Sequence, residues 1–272
     1  RALLEYEGQA PDVQFMIDKI TAGYSDRRSY YINRLAESLG MIAAAFYPRP
    51  VMVRLSDFQS NEYATLYGGD CFENNEENPK LGLRGAARYF SPEFAESFSL
   101  ECEAIRYVRN EMGLSNLQVI APFVRTPEEG GQLLTLMARH GLRQGDNELK
   151  VYLMCETPAN VLLADEFLQF FDGFSIGTDD LLQLTMGVDS GSSLFTGIDV
   201  RNRAVLKLIY LAIDACHRTG RYIGISGSAP SDYTEITRWL VGQGIGSISF
   251  EPQSYFKMQK VVACAESKST MD

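Results

Sequence analysis

Histidine is nearly absent from this chain: His140 and His217 are the only two in 272 residues. Each stands shortly before a glycine, Gly141 or Gly220, near the end of an expected helix. An imidazolium is favourable there against the negative end of the helix dipole, and that accounts for both. A histidine-centred nucleophilic mechanism is therefore excluded. Cysteine is sparse too. The five thiols, Cys71, Cys102, Cys155, Cys216 and Cys264, are odd in number and lack CxxC spacing. Reduced structural thiols in a cytoplasmic protein are expected rather than disulfides or zinc. Positive charge is in deficit, with a formal net charge of −10. That argues against a nucleic-acid backbone or an anionic membrane as the main partner, while a few local arginines can still bind a small anion. No apolar run reaches the roughly 18 residues of a membrane span, and no signal peptide opens the chain. No low-complexity segment or solenoid repeat appears. The chain opens at Arg1 rather than Met, so the natural start is expected upstream.

What the chain does have is a rhythm. After residues expected to be helical from Pro11 to Tyr47, short apolar strands alternate with amphipathic helices, the signature of an α/β protein. Asp12 is expected to cap one early helix. Ser29–Phe46 is expected to form another, with Ala43, Ala44 and Ala45 packing closely. Strands are expected at Val51–Leu55, Gly82–Arg84, Leu117–Pro122, Lys150–Cys155, Gly173–Ile176, Tyr222–Ile225 and Ser247–Phe250. Helices are expected at Pro92–Met112, Thr126–His140, Ala159–Phe171, Val200–Thr219, Asp232–Gln243 and Tyr255–Glu266. Tyr67–Pro79 is polar, acidic and without period. Seven strands are one short of a (β/α)8 barrel. An open doubly wound sheet competes, but no Gly-rich phosphate turn follows an early strand. The expected architecture is a TIM barrel lacking its first strand in residues 49–272, behind a helical segment at residues 1–48.

The polar groups fall at strand ends. Val151–Gln183 contains two apolar strands, each followed by a carboxylate, Glu156 and Asp180. In a parallel sheet the C-terminal ends of successive strands lie side by side at the functional face. Two such oxygens suit one Mg²⁺ with positions open for a substrate. The competing reading makes Glu156 and Asp180 plain helix caps. Asp179 is either a further oxygen ligand or a source of repulsion. Arg54, Arg84, Arg88 and Arg125 also follow strands, and guanidinium forks suit phosphate or carboxylate. Each alone reads as a surface salt bridge; four together at one face read as an anion site.

At this point the chain resembles a family. M-C-E-T-P-A-N, F-D-G-F-S-I-G-T-D-D, V-R-L-S-D-F-Q-S-N-E-Y, N-P-K-L-G-L-R-G-A-A-R-Y and P-F-V-R-T look like the C-terminal barrel of the phosphoenolpyruvate synthase family of PEP-utilising enzymes. They are more distantly similar to pyruvate phosphate dikinase and to enzyme I of the sugar phosphotransferase system. The likeness runs from about Ala2 to Ala263. It implies phosphoryl transfer at a barrel mouth, with Mg²⁺ on Glu156 and Asp180. Arg54 and Arg84 would hold a phosphoryl group delivered from a phosphohistidine on another domain, with Arg88, Arg125, Thr178 and Asp179 binding substrate. Phosphohistidine and ATP-binding domains of the same full-length protein are the implied partners, and homodimerisation stays open.

Three positions depart from the family pattern. Where the family usually has G-[TS]-N-D, this chain has Gly177-Thr178-Asp179-Asp180. Ser190 stands where the family has an arginine. Ser226, in Gly224-Ile225-Ser226-Gly227, replaces a cysteine that exchanges a proton with the methyl carbon of pyruvate. A thiol titrates near neutrality and a serine hydroxyl does not. Ser226 is the third expected catalytic residue with Arg54 and Arg84. The departures lead to the expectation of an acceptor other than pyruvate, as in a prodiginine-type condensing ligase. An authentic pyruvate-using synthase and a catalytically silent binding barrel are the alternatives.

Overall fold

The structure, a computed structural model, describes residues 1–189 and 197–269. Its chain divides into two compact units, residues 1–124 with 128–151 and residues 125–127 with 152–272.

In the first unit, helices Pro11–Thr21 and Arg27–Phe46 precede strand β1 (Val51–Arg54). The first helix starts behind Ala10 with Pro11 at its first turn, so Asp12 lies inside the helix and does not cap it. The capping acid is Asp26, whose Oδ1 accepts from Ser29 N at 2.8 Å. Of the expected alanine trio only Ala43 is buried; Ala44 and Ala45 face solvent. The close-packing stripe is Ala36, Gly40 and Ala43, which keeps helical spacing and seats Arg27–Phe46 on helix Ala95–Asn110. β1 pairs in parallel with β2 (Leu117–Ala121), Val51 opposite Leu117 and Arg54 opposite Ile120. The Asn116 side chain ties this join together, donating to Ala43 O and Arg49 O at 2.9 and 2.8 Å.

Gly82–Arg84 is not a strand. Leu83 N donates to Glu76 Oε1 at 2.9 Å rather than to a neighbouring strand. Gly85 then takes φ +57, and a Cβ there would meet Phe123 Cβ at 2.4 Å. A backbone committed to a side chain and a left-handed turn has no ladder to join.

In the second unit, β3 (Val151–Cys155), β4 (Gly173–Gly177), β5 (Tyr222–Ser226) and β6 (Ser247–Ile248) pair in parallel in that order. Leu153 stands opposite Phe174, and Ile176 opposite Ile225. β3 is buried throughout and β4 nearly so, as near-continuous apolar strands of a parallel sheet are. Helix Arg203–Arg218 covers β4 and β5. Two expected helices break. Ala159–Phe171 becomes Pro158–Leu162 and Ala164–Phe167 around the non-helical Leu163. Asp232–Gln243 becomes Ala229–Asp232 and Thr234–Gly242, because Tyr233 is extended at ψ 100.

The architecture is thus α/β with six parallel strands among the described residues, consistent with part of a TIM barrel. The seven-strand expectation falls by one at Gly82–Arg84. Among the described residues β1 pairs with β2 and β6 with β5. No described helix is long and apolar enough to cross a membrane. All five cysteines are free, as expected.

Candidate functional site

The strand ends of the second unit gather the expected carboxylates. β3 runs straight into Glu156, which is 2% exposed. The next residue, Thr157, caps helix Pro158–Leu162: its Oγ1 accepts from Asn160 N at 3.2 Å. Asn160 Oδ1 reaches back to accept from Glu156 N and Thr157 N at 3.2 and 3.0 Å. This capping box fixes the backbone of Glu156 and leaves its carboxylate out of the capping role. The cap reading of Glu156 is therefore wrong. That of Asp180 is wrong too, since Gly177 is the cap residue and Asp179 and Asp180 lie in the first turn of Thr178–Met186. Their charges suit the positive end of the helix dipole.

The register places Glu156 beside Gly177. A Cβ on Gly177 would meet Glu156 Cβ and Oε2, each at 3.0 Å. The absence of a side chain at position 177 is what lets the Glu156 carboxylate lie against the end of β4. On the other side, Gly177 pairs with Ser226. Ser226 Oγ donates to Ile176 O at 3.3 Å and lies 3.8 Å from Met154 Sδ. Side chains alternate along a strand, so Met154 and Glu156 share a face with Ser226 and Cys155 does not. The Cys155 thiol therefore does not face Ser226. Burial pushes it well above its ordinary pKa.

Thr178 is buried and Asp179 exposed. Ser228 Oγ and Thr178 Oγ1 both donate to Asp179 Oδ1, each at 3.3 Å. Gly227 has φ +116, and a Cβ there would lie 2.0 Å from Thr178 Oγ1. Only glycine allows both that backbone and that approach. Ser228 escaped notice in the sequence, and Gly227 was read only as part of the Ser226 motif; the run S-G-S after an apolar strand was their signal. Ser190 lies outside the described residues. The rim therefore presents Glu156 and, one strand on, Asp179 and Asp180, with hydroxyls between.

Among the described residues no group of three or more His, Cys, Asp or Glu forms a ready-made metal cluster. Glu156 and Asp180 are hard oxygen donors, and Mg²⁺ is commonly held by one or two carboxylates with substrate and water completing its shell. Glu156 and Asp180 are the residues that could hold Mg²⁺ in that manner.

The arginines belong to different settings. Arg125 is half-buried beside the start of helix Pro127–Arg139. Arg54, in the first unit, is exposed at the end of β1. Arg84 is buried and makes a fork with Asp57, Nε to Oδ1 at 3.2 Å and Nη2 to Oδ2 at 2.5 Å, with its guanidinium 4.1 Å from the Phe123 ring centroid. Arg88 is buried as well. It donates to both oxygens of Glu73 at 2.8 and 2.9 Å, to Ser60 Oγ at 2.9 Å and to Leu83 O at 3.1 Å. Its fork pins the acidic loop down, which explains how residues 67–79 hold a course without periodicity.

These features define a parallel α/β protein with carboxylates after the strands of its second unit and, in its first, an exposed arginine ending β1. A family model described as PEP-utilising enzyme, PEP-binding domain, matches residues 17–267, and the chain belongs to that family. It is 52% identical over 255 residues to a phosphoenolpyruvate synthase of Pseudomonas aeruginosa, covering 93% of this chain and 32% of the relative. A phosphoenolpyruvate synthase of Aquifex aeolicus is 53% identical over 253 residues, 93% of this chain and 30% of the relative. That of Escherichia coli K12 is 48% identical over 255 residues, with 93% and 32% covered. The chain spans about a third of the length of these curated relatives.

Proposed function

We propose that this chain is the PEP- and pyruvate-binding part of a phosphoenolpyruvate synthase, in which phosphoryl transfer occurs between a phosphohistidine on another domain and an oxygen of pyruvate. Every relative reported above is a synthase, and the expectation of a condensing ligase with a different acceptor finds no support among them. The observation that carries the reading is the Glu156 carboxylate, buried and seated against side-chain-free Gly177 in a chain about half identical to synthases.

Glu156 and Asp180 would hold Mg²⁺, which when bound supplies charge neutralisation to the ligand's oxygens. Arg54 would meet the phosphoryl group with its open guanidinium. Arg84, oriented by Asp57, would supply a second, fixed positive charge, and Arg88 and Arg125 add to the field. Thr178 and Asp179 would line the substrate at the N-terminus of Thr178–Met186. Positioning and charge stabilisation are most of what phosphoryl transfer demands. Ser226 would stand at the methyl carbon, as a weak acid–base group. The ATP-binding and phosphohistidine functions would lie in other domains of the full-length protein.

Calorimetric titration with PEP tests this. Binding should require Mg²⁺ and be lost in Glu156→Gln without a change in unfolding midpoint. PEP binding that is indifferent to both Mg²⁺ and the substitution would overturn the reading.

A further inference from the structure

A cavity with a partly polar lining lies wholly within the first unit. Its volume is about 300 Å³, and it is walled by Leu3, Phe58, Leu66, Phe72 and Phe94. Its floor is polar. Glu101, on helix Ala95–Asn110, is 6% exposed. One of its oxygens accepts from Ser56 N and Ser56 Oγ at 2.8 and 2.9 Å. Among the described residues the other oxygen has no hydrogen-bond partner, and no cation pairs with the carboxylate. Ser97, one helical turn before Glu101 and on the same face, has a buried hydroxyl with no partner. A helical serine commonly returns its hydroxyl to the carbonyl one turn back, and this one does not. Tyr63 is wedged edge-on between Phe58 and Phe94, at 5.3 and 5.7 Å, and its hydroxyl is also buried and unpartnered. All of these residues line the same cavity.

Unpaired buried hydroxyls are uncommon in native proteins, and so is a buried carboxylate without a cationic partner. Three acceptors around an apolar chamber match one group above others. An ammonium has three donors and no acceptor, and it carries the charge that Glu101 lacks. A neutral alcohol would satisfy the hydroxyls but leave the carboxylate without a counter-charge. A carboxylate ligand would be attracted to Arg1, which also lines the cavity, but would set like charge against Glu101.

We propose that this cavity binds a primary ammonium ion on a compact aromatic or aliphatic body, its head on Glu101, Ser97 and Tyr63 and its body among Phe58, Leu66, Phe72 and Phe94. Burial favours the protonated carboxyl of the empty protein, and a bound ammonium reverses that preference.

The test is calorimetry on the full chain with three probes of one shape: phenethylammonium, phenethyl alcohol and hydrocinnamate. Phenethylammonium should bind at millimolar concentration or below, the alcohol about tenfold more weakly or worse, and hydrocinnamate not at all. Glu101→Gln should abolish ammonium binding. Ser97→Ala and Tyr63→Phe should each weaken it while leaving the urea midpoint unchanged or raised, since each removes an orphaned hydroxyl. That opposition of sign separates a binding site from a merely structural cluster. If Glu101→Gln fails to fold, the two hydroxyl variants decide. Alcohol binding equal to ammonium binding, no ammonium binding at millimolar concentration, or hydroxyl variants that lose stability would each overturn the proposal. Glu156→Gln should leave ammonium binding intact, which separates this site from the PEP reading.

Discussion

Arg54 and Arg84 share a residue type and a proposed role at the phosphoryl group, yet their surroundings differ. Arg84 is locked in a buried fork whose partner, Asp57, has a fully buried side chain. Removing one member of such a pair leaves the other charge stranded and costs about 3–5 kcal/mol. Arg84→Ala should therefore lose both PEP binding and several degrees of thermal midpoint. Arg54 is exposed, with no hydrogen bond or ion pair among the described residues. Arg54→Ala should keep its midpoint within about 0.5 kcal/mol of wild type and lose PEP affinity alone. Thermal unfolding beside PEP titration reads both. An Arg54→Ala protein that binds PEP normally would remove that residue from the site.

Under the proposed function Ser226 would stand at the pyruvate methyl group. Its hydroxyl donates to Ile176 O, and serine does not titrate near neutral pH. The chain should exchange the methyl protons of pyruvate with deuterated solvent slowly, even with Mg²⁺ present. Ser226→Cys should raise the rate by at least about tenfold, within the range that a well-placed acid–base group supplies. Rapid exchange by the unmodified chain, followed by NMR, would show that another group performs the proton transfer.

At the scale of elements, the sequence showed where strands and helices alternate but not how they end. The capping box at Thr157 and Asn160 is the clearest case. T-P-A-N follows a strand and carries the cap residue at its head, so its signal was present. The acid just before it drew the capping role instead. Thr157→Ala should cost about 1 kcal/mol of stability. It should also weaken Mg²⁺-dependent PEP binding, because the box fixes the backbone of Glu156. Loss of stability with PEP affinity unchanged would show that the carboxylate is positioned by other contacts. The missing strand at Gly82–Arg84 has a similar origin. L-G-L-R alternates well enough to read as a strand, but the hydrogen bond from Leu83 N goes to Glu76. No local pattern announces a partner seven residues away.

At the scale of the whole molecule, burial of acids sets the response to pH. Glu101 is pushed from an ordinary 4.5 up to about 7 by desolvation, against the opposing hydrogen bonds from Ser56. The folded state keeps a proton that the unfolded chain has lost across that window. Stability should therefore be full below pH 4.5 as far as this group is concerned, and fall as pH rises toward 7, by up to about 3 kcal/mol. Asp26 and Asp199 shift the opposite way, downward, so each adds stability as pH rises through the acid range, the reverse of Glu101. The raised thiols of Cys102, Cys155 and Cys216 add a second decline above pH 9 by the same sign argument. Urea midpoints across pH 5 to 7 should slope downward in the wild type and flatten in Glu101→Gln. Parallel slopes in the two proteins would contradict the assignment.

The sequence by itself determined the α/β class, the order of its elements and which residues stand at strand ends. Those features follow from hydrophobic period and from motifs contiguous along the chain, and both are local. It also marked Glu156, Thr178, Asp179, Asp180 and Ser226 as neighbours, because parallel strands carry their C-terminal ends to one edge. Only the tertiary structure decided which charges are spent and which are open. Arg88 is taken up by Glu73 and Ser60, Arg84 by Asp57, and Arg54 by none of the described residues. Glu101 sits in the apolar stripe of its helix between Phe98 and Ile105, and an acid in such a stripe was the sequence's only sign of it. Pairing and burial depend on residues far apart in the chain, and their energies are set by desolvation, which no local pattern encodes.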